Sequence, residues 1–338
     1  MPKPLQFFEY EKVAYKGKWE RSGFTSDHYE AFESYYTRNP ETPFFELIPY
    51  GVRFKQYVGA IQIGKTTIEV LPKVVGNQEN KDIWQKVLID MLKTCKLLTA
   101  KQTGEAQLSL KANSVLELYF ELFVSEVEQL CHKGLIKKYK SKTGNQNTVK
   151  GAIQFSRNIA NNTVHKERFY LNYTEYTKDH LLHQILYKAL KVIDHISNSP
   201  LLKDKIKRLK TVFPEVSQLV VSKRHFDKIT VSRKHQPYEK AINIAELILM
   251  NYRPDIKAGR KDLLAIMFDM NILWEEYVFR LLKKTQSKDF EILAQRKKLF
   301  WGKSQKIKPD IVLISKETNE TFIIDTKWKV ISKNRPSD

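Results

Sequence analysis

Apolar residues recur at helical spacing along much of the chain. Between Lys81 and Lys96 they fall at Ile83, Trp84, Val87, Leu88, Met91 and Leu92, which predicts an amphipathic helix. A second helix is predicted from Ser114 to His132, with Leu116, Tyr119, Phe120, Phe123, Val127 and Leu130 on one face and Gly134 as its C-terminal stop. A third is expected from Asp179, as its cap, through Leu182, Ile185, Leu186, Ala189, Leu190 and Ile193. Ile242–Met250 and Asn271–Lys284 complete the helical set, the latter burying Leu273, Trp274, Tyr277, Val278 and Leu281. Alternation marks the strands. Arg53–Lys73 carries it on both sides of Gly64-Lys65, which predicts a β-hairpin, and Gln218–Ser222 has a β-like run. Near the end, Ile311–Ile314 and Thr321–Trp328 flank a polar turn at Lys316–Glu320.

A chain of 338 residues exceeds what one core usually serves. The pattern divides it into a small β-rich region (1–98), a mainly helical basic region (99–255) and a C-terminal α/β region (256–338), an α+β multidomain protein. Turn signals at Gly76-Asn77 and between Tyr252 and Asp262 fall near these divisions.

Composition narrows the function. Hydrophobic residues at 42% suffice for a core, and a net charge of +20 favours a polyanionic partner. No apolar run reaches membrane-spanning length, and the N-terminus lacks the apolar core of a signal peptide, so no membrane is expected. Residues 1–100 hold 14 Lys and Arg against 12 Asp and Glu, while the remainder holds 44 against 26. Nucleic acid is therefore expected beyond residue 100. The stretch after Gly134 interleaves cations with Asn, Gln, Tyr and Phe; Lys137, Lys138, Lys140, Lys150 and Arg157 are its candidate DNA contacts. A solvated loop on a basic protein is the alternative. Cys95 and Cys131 sit within apolar helical patterns and read as buried thiols in a reducing cytoplasm.

The terminal segment carries chemistry. Folding Lys308–Val330 about Glu317-Thr318 sets Asp310 almost opposite Asp325, and strand alternation puts Asp325 and Lys327 on one face. This resembles the PD-(D/E)xK arrangement of metal-dependent nucleases. Two carboxylates suit Mg²⁺, which lowers the pKa of a bound water and polarises a phosphate. Lys327 is placed to orient that water or to stabilise charge on phosphorus. An ordinary hairpin with solvent-exposed Asp ends is the competing interpretation. It is weakened because charges ending apolar strands need a reason. In nucleases of this class a helical glutamate often joins the metal site. Glu275, at the edge of its helix's apolar face, is the candidate, with a plain surface glutamate as the alternative.

Six stretches then carry a family resemblance: VGAIQIGKTTIEVLPKV, GLIKKY, VKGAIQFSRNI, YTEYTKDHLLHQILYKAL, LWEEYVFRLL and KPDIVL with FIIDTKWK, in that order. The chain resembles the McrC family, nuclease subunits of McrBC modification-dependent restriction systems, over almost its whole length. The resemblance implies an Mg²⁺-dependent endonuclease that cuts only with McrB, a GTP-hydrolysing AAA+ hexamer whose GTPase the N-terminal domain stimulates. It implies double-stranded DNA carrying modified cytosine as substrate, with base recognition in the partner. GTP is expected on the partner and not on this chain, where no phosphate-binding loop is expected. Loops at Arg38–Phe45 and Lys55–Lys65 are candidates for touching the motor. Family members continue past the DTKWK strand into a further helix, so the nuclease domain here is expected to be truncated. A catalytically inert DNA-binding adaptor of the motor and a stand-alone nuclease are the alternatives.

Overall fold

The structure is a computed structural model. It describes residues 3–73, 80–97, 114–229, 233, 235–253, 262–286, 288–294, 298–301, 305–307 and 309–328. The turn expected at Gly76-Asn77 and the segment after Trp328 lie outside them. Contacts divide the chain into two compact units, Met1–Leu122 with Asn251–Asp338, and Phe123–Met250.

The first unit opens with β1 (Leu5–Phe8), β2 (Lys12–Ala14), α1 (Ser26–Arg38), β3 (Phe45–Ile48), β4 (Gly51–Phe54), β5 (Tyr57–Ile63), β6 (Thr66–Leu71) and α2 (Lys81–Thr94). The predicted hairpin is β5–β6, with Ile61 opposite Ile68 and the turn at Gly64-Lys65. β1 runs parallel to β6, while β2, β4 and β3 make a second antiparallel sheet. α1 lays Phe32 against Phe45 and Phe54, and Phe7, Phe24, Ile61 and Ile68 close the same core. Burying each such side chain stabilises the fold by roughly 1.5–3 kcal/mol. Of the six apolar positions its periodicity predicts, α2 buries Leu88, Met91 and Leu92, with Trp84 and Val87 half-buried and Ile83 exposed.

α3 (Val115–Lys133) crosses the division between the units and ends at Gly134, whose φ of 88° suits glycine. In the second unit β7 (Lys138–Gln146), β8 (Ala152–Ile153), α4 (Phe155–Asn162) and β9 (Phe169–Thr177) follow. The strands form an antiparallel sheet in the order β7-β9-β8. The basic stretch is thus mainly an antiparallel sheet, with Arg157 on the short helix α4 and Lys150 on the connection before β8. Its strands escaped the apolar-alternation signal because side chains on both sheet faces stay largely solvated; β7 alternates only between exposed and half-buried.

Next come α5 (Leu181–Ile196), α6 (Pro200–Val212), α7 (Lys223–Asp227) and α8 (Glu239–Asn251). α5 buries all six apolar positions its spacing predicts, but its cap residue is His180 rather than Asp179. The Asp179 carboxylate is taken instead by Ser217, Gln184 and Lys140. Gln218–Ser222 forms no strand.

The chain then returns to the first unit with β10 (Tyr252–Arg253), β11 (Leu263–Asp269), α9 (Met270–Gln286), β12 (Phe290–Ala294), β13 (Lys298–Trp301), β14 (Gln305–Ile307), β15 (Ile311–Ser315) and β16 (Thr321–Ile324). β11 inserts beside β5, completing a sheet in the order β1-β6-β5-β11-β10. One sheet thus joins strands from all three expected regions, with β1, β5 and β6 from the first, β10 from the end of the second and β11 from the last. At the crossing, Gly59 has φ of 142°, and a Cβ there would lie 2.2 Å from the Ile266 carbonyl oxygen. Only glycine lets the two backbones approach so closely. The remaining strands form a three-stranded sheet, β12-β15-β16, and the hairpin β13–β14. Among the described residues no helix is long and apolar enough to cross a membrane.

Candidate active site

The terminal hairpin folds in the predicted register. Ile311 pairs with Ile324 and Ile314 with Thr321, so Asp310 and Asp325 occupy the next facing positions beyond the paired strands. Asp310 Oδ2 accepts hydrogen bonds from the Thr326 backbone N–H (2.8 Å) and hydroxyl (3.1 Å). These bonds hold Thr326, the residue after Asp325, against the start of β15. Lys327 Nζ lies 3.4 Å from Asp325 Oδ2, and both side chains are largely exposed. The face shared by Asp325 and Lys327 therefore survives, although residues 325–328 lie past the end of the strand.

Two expectations about the surroundings do not hold. Among the described residues β16 lies at the edge of its sheet with Phe322 and Ile323 exposed, so the charges do not end two buried apolar strands. α9 buries Met270 and Leu273, whereas Trp274, Tyr277 and Val278 are half-buried and Leu281 is exposed. The half-buried Glu275 lies on that helix beside Trp274, while Glu276 pairs with Arg280 at 2.5 Å. Among the described residues no three His, Cys, Asp or Glu side chains come close enough to hold a metal. Glu275 is thus not gathered with Asp310 and Asp325 into one set. The donor chemistry of the two aspartates still suits a hard cation, since Mg²⁺ takes one or two protein carboxylates and keeps several waters.

Trp328, one residue past Lys327, has partners that the local sequence pattern does not reveal. Its indole Nε1 donates to Glu9 Oε1 at 2.6 Å, and its ring meets that of Trp274 at 5.0 Å. Glu9 is 1% exposed. The available signal was an acid between Phe7-Phe8 and Tyr10, an apolar setting in which a carboxylate needs a partner.

The five candidate DNA contacts are not one surface. Lys137 lies over the Tyr176 ring and Arg157 over that of Tyr170, both on one face of the β7–β9 ladder. Lys150 lies over Tyr173, and Lys140 pairs with Asp179 at 3.0 Å, on the opposite face. Lys138 shares the face of Lys140, and partial burial pulls its ammonium pKa down. Burial pushes the Asp179 carboxyl up, but the bonds from Ser217, Gln184 and Lys140 outweigh it and hold the group well below the usual carboxylate range. Tyr139, Tyr176, Phe155 and Ile159 are exposed around these cations.

Gly59–Thr66 spells G-x-x-x-x-G-K-T, the residue pattern of a phosphate-binding loop, contrary to the expectation that none occurs. Its structure removes that role. Gly59–Ile63 lie in β5, Gly64-Lys65 form the hairpin turn and Thr66 opens β6, so there is neither a loop to cradle phosphates nor a helix after it. For the same reason Lys55–Lys65 is mostly a buried strand rather than a contact loop; Arg38–Phe45 does link α1 to β3. Of the two cysteines, Cys95 is buried and Cys131 only partly so.

A family model described as a McrBC 5-methylcytosine restriction system component matches residues 52–338. Among solved structures, the chain is similar to one from the refined half-complex of a tetradecameric assembly of Thermococcus gammatolerans McrB AAA+ hexamers with bound McrC. That similarity has a TM-score of 0.68 at 18% identity and covers 98% of this chain and 82% of the other. A chain in the cryo-EM structure of the Thermococcus gammatolerans McrBC complex matches with a TM-score of 0.61 at 17% identity, over 82% of this chain and 87% of that one. At these identities the likeness is one of fold. No curated protein matches the chain.

Proposed function

The chain belongs to the McrBC family of 5-methylcytosine restriction components, and from that membership we propose that it is the DNA-cutting subunit of such a system. The observation that carries the proposal is the end of the β15–β16 hairpin, where Asp310, Asp325 and Lys327 come together on adjoining chain. Asp310 and Asp325 would hold Mg²⁺, which when bound supplies polarisation of the scissile phosphate and a water of lowered pKa. Thr326 fixes Asp310 through two hydrogen bonds, which spares that carboxylate a search through rotamers. Lys327, held beside Asp325, brings a cation to the phosphate oxygens and is the group placed to orient the attacking water. Glu275 is not gathered with the two aspartates, and no part in holding the metal is assigned to it.

The partner we propose is an AAA+ hexamer, as in the similar assembly of McrB AAA+ hexamers with bound McrC; on this reading it binds GTP, and the N-terminal sheets stimulate its hydrolysis. The substrate is double-stranded DNA with modified cytosine, its backbone met by Lys137 and Arg157 on one face of the β7–β9 ladder or by Lys138, Lys140 and Lys150 on the other.

Incubation of the chain, its partner and GTP with methylated DNA in Mg²⁺, and in parallel with the metal chelated, tests the nuclease assignment. Strand breaks that vanish on chelation are expected. DNA binding that weakens steeply with salt, without any breaks, would instead identify an inert adaptor.

A further inference from the structure

Beyond β16 the four residues Asp325–Trp328 have left the strand, so something other than the sheet ladder must fix Lys327. The Lys327 side chain is largely exposed and meets only the equally exposed Asp325 among the described contacts. The anchors lie on either side of it. Thr326 is bonded to Asp310, and Trp328 is set against Trp274 and hydrogen-bonded to Glu9.

Glu9 is an unusual anchor. It follows β1, its backbone N–H donates to the Leu71 carbonyl at the end of β6, and Tyr10 after it has a left-handed φ of 61°. An aromatic residue rarely adopts that conformation, and such strain clusters where function over-determines the backbone. Glu9 Oε1 accepts both the Lys73 backbone N–H (2.9 Å) and the Trp328 indole (2.6 Å). Oε2 is buried with no hydrogen-bond partner among the described residues. Burial pushes this carboxyl up, with the Lys73 and Trp328 bonds opposing it. A buried acid satisfied on one oxygen only is a poor choice for stability alone, since an apolar side chain of similar volume would leave no acceptor unpaired.

We propose that Glu9 is a positioning residue: by gripping the Trp328 indole it holds the Asp325–Lys327 segment in its working place and ties the N-terminal sheet to the cutting site. This rests on the assignment of Asp310, Asp325 and Lys327 as the cutting groups. Glu9 touches neither those groups nor substrate. Its effect passes through Trp328, and small misplacements of a reacting group cost one to two orders of magnitude in rate.

The test compares Glu9→Ala, Glu9→Gln, Trp328→Phe and the Glu9→Ala/Trp328→Phe double variant as full chains with the AAA+ partner, GTP, Mg²⁺ and methylated DNA. Glu9→Ala and Trp328→Phe should each lower kcat about tenfold or more with KM for DNA unchanged. Glu9→Gln, which keeps an acceptor oxygen for the indole, should restore cutting to within about twofold of wild type, and the double variant should be no slower than either single one. Should Glu9→Ala fail to fold, Trp328→Phe carries the test, because it keeps a ring against Trp274 and removes only the N–H. Wild-type kcat in Trp328→Phe, or fully additive losses in the double variant, would overturn the proposal. Asp325→Ala run alongside separates the two ideas. If it cuts normally the hairpin assignment has failed; if it is dead while the Glu9 and Trp328 variants cut normally, only the positioning role has failed.

Discussion

A buried histidine network should make the second unit lose stability in mild acid. His183 is fully buried on α5; its Nδ1–H donates to the Lys178 carbonyl at 2.7 Å. Its Nε2 accepts from the Tyr238 hydroxyl at 3.1 Å, and that hydroxyl in turn accepts the Ile136 N–H at 3.0 Å. Every proton in this chain is committed, so protonating Nε2 would set two donors against each other. The ring is thereby held neutral. Burial, aided by the neighbouring His180, pushes the His183 pKa down to about 4. The unfolded chain takes up a proton near pH 6.5, whereas the folded one resists until about pH 4. Stability is therefore complete above pH 6.5 and drains away as the pH falls through that window, by roughly 3 kcal/mol in all and about 2 kcal/mol by pH 5. His183→Gln keeps a donor for Lys178 and an acceptor for Tyr238 but cannot titrate. Urea unfolding followed by circular dichroism at about pH 7.5 and about pH 5 should show the wild type losing some 2 kcal/mol more than the variant. Parallel losses in the two proteins would refute the network.

Two further outcomes follow from close packing. Gly59→Ala drives a methyl group to 2.2 Å from the Ile266 carbonyl oxygen at a backbone angle alanine avoids. It should cost about 2 kcal/mol or more in denaturant unfolding, and an unchanged midpoint would mean that β5 and β11 do not approach as described. Burial first, and Glu276 second, push the Cys95 thiol up to about 11, and its Sγ lies 3.7 Å from the Leu273 carbonyl. Iodoacetamide at neutral pH should therefore label Cys131 well before Cys95 by mass spectrometry, and equal rates would contradict that burial.

The local elements were legible because their periodicity is local. α2, α5 and the β5–β6 hairpin each announce a buried face within one short window. So does the terminal hairpin, whose register follows from alternation and one turn. What sequence reading missed depends on distant partners. Nothing in Leu263–Asp269 says that it lies beside Tyr57–Ile63, because any apolar strand could take that place in the sheet. The strands around Lys140 hide because sheets with two solvated faces lack apolar alternation. Asp179 looks like a cap until Ser217, 38 residues on, claims its carboxylate. In the candidate site the aspartates and Lys327 could be read from the motif, whereas Glu9 reaches Trp328 across 319 residues of sequence.

The proposed place of Asp325 in the cutting machinery is tested by a single substitution. Asp325→Ala should leave binding to the AAA+ partner and stimulation of its GTPase intact while cleavage of methylated DNA in Mg²⁺ falls by at least about a thousandfold, as expected when a metal-holding carboxylate is removed. Cleavage by Asp325→Ala at the wild-type rate would contradict the account.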